Sequence, residues 1–180
     1  PVQQAMVAAR RNGGQLPALN ATARSVPLTD YVAPLGSRIM MLKVDTEGHE
    51  VRVLSSARAL LQGRGIDYIL WELTPSKWIT AGIKSEAGIR TLGALFDSGS
   101  GYETIIVAGS GHRPRACAYA KGICGVRGEL PASVLRKLPA DKSLPKRSAS
   151  YVPSVAAFVN ATIAIKWPMA TNLLSIRTGP

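Results

Sequence analysis

IMMLKVDTEGHEVRVLSSARALLQGRGIDYILWELTP, residues 39–75, decides the fold. Residues 39–44 form an apolar run interrupted only by Lys43, which predicts a strand of a parallel sheet buried on both faces. Asp45 ends the run, and residues 46–48 make a turn. Val53, Leu54, Ala57, Leu60 and Leu61 then recur at spacings of three and four, the stripe of a helix laid on a sheet. Gly63 and Gly65 stop that helix, and residues 66–71 give a second apolar strand that ends on Glu72. The unit is strand, helix, strand.

Downstream, Pro75 breaks the second strand, and Trp78 and Ile79 are expected to close the edge of a pocket or pack under the sheet. Ser85 suits an N-cap and Glu86 the positive end of a helix whose buried stripe is Ile89, Leu92, Leu95 and Phe96. Residues 98–101 end it, and the β-branched run in residues 102–107 is a third strand. Strands alternating with helices predict a mostly parallel sheet with helices on both faces and right-handed crossovers. Residues 26–107 therefore hold a βαβαβ core, entered through a short strand or turn at 26–32. Residues 1–25 are an irregular lead-in containing Gly13-Gly14 and Pro17, with one short helix up to Arg11. Across residues 108–150 periodicity fails and four prolines appear, the pattern of a long solvated insert with one or two helical turns after Pro131. Residues 151–180 form a C-terminal strand region whose last strand is 171–177. All of it reads as one domain.

The chain has 180 residues, of which 46% are hydrophobic and 18% charged, a globular composition. No run of apolar residues is long enough to span a bilayer, and no signal peptide opens the sequence. Because the first residue is Pro1, the chain is expected to be a fragment. The net charge is +11, and residues 109–150 alone carry +7, from nine basic and two acidic side chains. A basic insert is usually a solvated loop, and the absence of interleaved aromatic residues argues against a nucleic-acid surface. The competing view, nucleic-acid binding, would rest on Arg113, Arg115, Arg136 and Lys137. Cys117 and Cys124 are spaced as neither zinc ligands nor an obvious disulfide and read as separate thiols. Asn20 and Asn160 each open an Asn-Ala-Thr glycosylation pattern, which matters only in a secretory compartment.

In open α/β sheets ligands bind beyond the carboxyl ends of the strands. Asp45 and Glu72 each close a strand and Glu47 lies in the turn, so neighbouring strands would gather three carboxylates on one rim. Such a cluster can raise the proton affinity of one member until it serves as a base, can hold a metal ion, or can orient hydroxyl groups. The same residues also admit a purely structural reading, with Asp45 capping the helix, Glu47 and Glu50 opposing its dipole, and Gly48 permitting a close turn. For Glu50 the structural reading is preferred, and His49, with no partner histidine nearby, is read as an ordinary surface or packed side chain. Lys43 is expected to snorkel or to pair with a carboxylate.

The run Lys43, Asp45, Glu47, Gly48, Glu50, Val53, Leu54, followed by a strand ending in Glu72, resembles the signature of the FkbM-type S-adenosylmethionine-dependent methyltransferases. Residues 26–32 resemble the segment that precedes it in that family, with Thr29 where an aspartate is usual. GYETIIV and TNLLSIR, residues 101–107 and 171–177, resemble its last two strands. The resemblance implies a Rossmann-like class I methyltransferase sheet, mostly parallel, with a C-terminal antiparallel strand pair. It implies S-adenosylmethionine as cofactor, a small-molecule or sugar acceptor methylated on oxygen, and Asp45, Glu47 and Glu72 as catalytic residues. The family's Gly-rich cofactor turn after an upstream strand has no counterpart before residue 39. The sheet is therefore expected to be N-terminally incomplete and to bind S-adenosylmethionine poorly, and the alternative is an inactive remnant kept as a binding module.

Overall fold

A computed structural model describes residues 24–97, 99–107, 149–164, 166 and 171–178. In chain order these form α1 (Leu28–Val32), β1 (Ile39–Val44), α2 (Glu50–Ser56), α3 (Arg58–Gln62), β2 (Ile66–Leu73), α4 (Ser85–Phe96), β3 (Tyr102–Val107), β4 (Ala149–Val152), α5 (Val155–Ala164) and β5 (Thr171–Arg177). The five strands make one sheet in the order β1-β2-β5-β3-β4. Among the described residues only β1 and β2 pair in parallel. β5 lies antiparallel between β2 and β3, and β4 is antiparallel on the far side of β3. The sheet is thus mixed, where alternation of strands and helices predicts a mostly parallel one. The terminal strand does pair antiparallel with β3, but it also enters between β3 and β2, so the second crossover skips a position that residues 171–177 fill.

Helices and sheet meet in one main apolar core, and a small second cluster of Ile105 and Ile176 with Tyr68, Tyr151 and Leu174 lies apart from it. Leu54, Ala57 and Leu61 of the predicted stripe are fully covered, as are Leu92, Leu95 and Phe96 of α4, while Val53, Leu60 and Ile89 pack at its margin. Trp71 of β2 stacks on Phe96 with ring centres 5.2 Å apart, and Phe96 meets Tyr102 edge-on. The polar ends of this aromatic group are satisfied: the Trp71 indole donates to Ser175 Oγ at 3.0 Å, Ser175 and Thr104 share a hydrogen bond of 2.8 Å, and the Tyr102 hydroxyl donates to the Ile66 carbonyl at 2.7 Å. Burial pushes the Tyr102 hydroxyl up to about 12, with the nearby Asp67 carboxylate adding to the effect. The start of α5 is fixed by Asp97, whose Oδ1 accepts from the Val155 amide at 2.6 Å, and by Ser154, whose Oγ accepts from the Ala157 amide at 3.1 Å.

Several expectations need correction. β1 is an edge strand among the described residues, so Met40 and Met41 are 73% and 54% exposed and not buried on both faces. Residues 28–32 are helical because Pro27 presets the first turn and the Leu28 amide is held by Ser56 Oγ at 3.1 Å. Ser85 is the first helical residue of α4 and not its cap; Lys84 holds that position and no side chain caps the helix. β2 runs on to Leu73, which places Glu72 within the strand. Trp78 is completely buried against Gly88, but Ile79 is 86% exposed and packs under nothing. The C-terminal region holds the helix α5 as well as strands, and β4 begins within the span read as an insert. Thr162, the last residue of the Asn160 glycosylation pattern, is a buried helical side chain whose hydroxyl donates to the Val159 carbonyl at 2.7 Å. The lead-in helix, the first glycosylation pattern, both cysteines, the helical turns after Pro131 and nearly all of the basic stretch lie outside the described residues. Among the described residues no helix is long and apolar enough to cross a membrane.

Candidate functional site

Register builds the site. In the parallel β1–β2 pair Val44 stands beside Trp71, so the next residues, Asp45 and Glu72, reach the carboxyl ends of the two strands as neighbours. The chain then turns through Glu47, at φ +54°, and Gly48, at φ +105°, before α2 begins. This left-handed turn folds Glu47 back over the strand ends. Oxygens of Asp45, Glu47 and Glu72 lie within 4.8 Å of one another, Asp45 and Glu47 exposed and Glu72 half-buried. The three residues singled out in the sequence therefore share one rim.

Two lysines divide the charge. Lys43 Nζ donates to Asp45 Oδ2 at 2.9 Å, and Lys77, on the short 3-10 turn Pro75–Lys77 after β2, pairs with Glu47. The Lys43 hydrogen bond, followed by its charge, holds the Asp45 carboxyl below the usual aspartate range, and a hydrogen bond with Glu72 works in the same direction. Glu72 moves the other way. Burial raises it first, and the charge and hydrogen bond of Asp45 and then the charges of Glu47 and Glu50 raise it further. Adjacent carboxyls pushed apart in proton affinity are a common arrangement for acid–base work. Glu47 raises the Lys77 ammonium above its ordinary value in return.

Under the rim sits Glu50, which is fully buried. Its Oε1 accepts from the Gly48 amide at 2.8 Å and from the amide and hydroxyl of Thr46, each at 3.3 Å, while Oε2 is buried without a partner among the described residues. A dipole-facing role does not account for this depth. His49 is exposed and occupies the N-cap position of α2 without a side-chain cap bond. Sequence reading missed Lys77, which carries no pattern beyond following a strand. It also missed Asn172, which stands opposite Glu72 in the β2–β5 pair.

The three carboxyls offer the oxygen ligands that a hard divalent cation takes, although Lys43 and Lys77 already serve two of them. Among the described residues the turn after β1 offers no open cradle for S-adenosylmethionine. A cofactor-binding βα turn uses glycine so that the backbone can approach the ligand. Here the space beside Gly48 is filled from within: a Cβ at that position would lie 2.7 Å from Lys77 Cβ and 3.1 Å from its carbonyl oxygen. A cavity of about 400 Å³ exists, lined by Gln62, Arg64, Leu95, Asp97 and Ser100. Arg64 and Ser100 precede β2 and β3, which puts this cavity at the amino ends of the strands, away from the acidic rim.

Fold and rim together define an α/β domain with a mixed five-stranded sheet and a carboxyl pair at the ends of its parallel strands. Comparison with protein-family models, with curated proteins and with solved structures gave no match to the chain.

Proposed function

We propose that this chain supplies the acid–base side of a methyltransferase-type domain similar to the FkbM family, acting on a hydroxyl group of a small molecule or sugar. The observation that carries the reading is the divergence of two carboxyls with oxygens within 4.8 Å, Asp45 held low and Glu72 raised, at the carboxyl ends of neighbouring parallel strands. Methylation of an alcohol requires its proton to leave as the oxygen attacks. A carboxylate whose proton affinity has risen toward the working pH is the better acceptor, so Glu72 takes that proton as general base. Asp45, fixed as an anion by Lys43, orients the hydroxyl and favours its positive hydrogen end. Glu47, tied to Lys77, contacts a neighbouring hydroxyl. S-adenosylmethionine would bring the methyl group as a sulfonium, and the cradle for it is not among the described residues.

Two measurements test this reading. Calorimetric titration with S-adenosylmethionine should give no saturable binding at micromolar concentration to the 180-residue chain. Micromolar binding would overturn the expectation that the 180-residue chain lacks the cradle. Transfer of labelled methyl to polyhydroxylated small molecules, assayed with any longer natural product that contains this chain, should fall by about 100-fold or more in Glu72→Gln. An unchanged rate in that variant removes Glu72 as base.

A further inference from the structure

We infer that Glu50 is a positioning residue that holds the acidic rim in shape, an inference that rests on the reading of Asp45, Glu47 and Glu72 as the working carboxyls. Three donors of one turn, the Gly48 amide, the Thr46 amide and the Thr46 hydroxyl, converge on its Oε1. Those donors bracket Glu47, which adopts a left-handed backbone at φ +54°, strained for a non-glycine residue. Without an acceptor beneath it the turn would relax, and the Glu47 carboxyl would leave the side of Glu72. From outside, the backbone of Lys77 closes on Gly48 and its ammonium takes the Glu47 carboxyl. The turn is thus gripped from both sides, by Glu50 through hydrogen bonds and by Lys77 through contact and charge.

A second observation separates this role from ordinary capping. Glu50 is completely buried, yet among the described residues its Oε2 has no hydrogen-bond partner. Burying a polar oxygen unpaired is destabilising, and a residue chosen for stability alone would avoid it. Glutamine would keep an acceptor for Gly48 and Thr46 without a buried charge. Methionine would fill much the same space with no acceptor. The carboxyl group acts on the rim as well as on the turn, since its charge contributes to raising Glu72.

The test compares Glu50→Gln with Glu50→Met by NMR on the whole chain, following the Gly48 amide and the titration of the Glu72 side-chain carboxyl. Glu50→Gln should keep the Gly48 amide hydrogen-bonded and lower the Glu72 midpoint only slightly. Glu50→Met should expose the amide to exchange and lower the Glu72 midpoint further than Glu50→Gln does, while the larger part raised by burial and Asp45 remains. Equal midpoints in the two variants, or a folded Glu50→Met with Glu72 unmoved, would overturn the inference. If Glu50→Met does not fold, Thr46→Val decides the matter: removal of the hydroxyl donor alone should move both signals part of the way, and no movement counts against the role. Because neither signal needs substrate or cofactor, failure to find methyl transfer would leave this result standing, and the reverse also holds.

Discussion

Replacing Gly48 with alanine strikes the turn on which the rim depends, and its cost can be worked from the geometry. At φ +105° an L-residue is strained, which costs about 1–3 kcal/mol. The added Cβ would also sit 2.7 Å from Lys77 Cβ and 3.1–3.2 Å from the Lys77 carbonyl group, and backbone atoms cannot swing aside as a flexible side-chain tip does. Overpacking of this kind costs about 1–3 kcal/mol more, for a combined loss of about 2–6 kcal/mol. Gly36 is the internal control: it too is left-handed, at φ +61°, but an added Cβ would meet nothing within 4 Å. Gly36→Ala should therefore show the backbone strain alone, about 1–2 kcal/mol. Urea denaturation of the two variants beside the wild type, with the slope m unchanged, reads the difference directly. In a thermal melt Gly48→Ala should lose roughly 4–24 °C for a chain of this size. If Gly48→Ala proves no more costly than Gly36→Ala, Lys77 is not seated against the turn and the account of how Glu47 is held is wrong.

Two further outcomes follow from the same groups. The folded protein binds the Glu72 proton more tightly than the unfolded chain does, so this contribution to stability is complete below the ordinary glutamate value of 4.5 and is lost as pH rises through the raised folded value. Urea midpoints measured between about pH 4 and pH 7 should accordingly decline in the wild type relative to Glu72→Gln, and parallel curves would contradict the raised affinity. Tyr102→Phe should cost about 1–3 kcal/mol, because it leaves the buried Ile66 carbonyl without its 2.7 Å donor. In the wild type the Tyr102 and Tyr151 hydroxyls should ionise near 12 by ultraviolet absorbance, both raised by burial, and the Tyr102 step should vanish in the variant.

Much of the core was legible because local pattern and tertiary environment agree. The stripe Leu54, Ala57, Leu61 and the run 102–107 have one reading each, and the structure gives it. Asp45 and Glu72 were visible because each follows apolar strand residues, and parallel register then makes them neighbours without further information. What stayed hidden depends on partners far away in sequence. The insertion of β5 between β2 and β3 is a long-range pairing that no local period encodes. Residues 28–32 carry β-branched and aromatic residues yet turn helical beside Ser56. Met40 and Met41 read as interior residues because composition cannot say whether another strand lies alongside. Glu50 looked like a dipole-facing acid because its spacing fits the first turn of α2, and only its burial and its three donors show the turn hanging from it.

The most direct test is a carbon-detected titration of the Asp45 and Glu72 side-chain carboxyls in the wild-type chain, assigned with Asp45→Asn and Glu72→Gln. The account predicts two separated midpoints, Asp45 below the ordinary aspartate value of 3.8 and Glu72 above the ordinary glutamate value of 4.5, with Glu72 falling once Asp45 is neutralised. Two carboxyls titrating at their ordinary values, each indifferent to loss of the other, would contradict it.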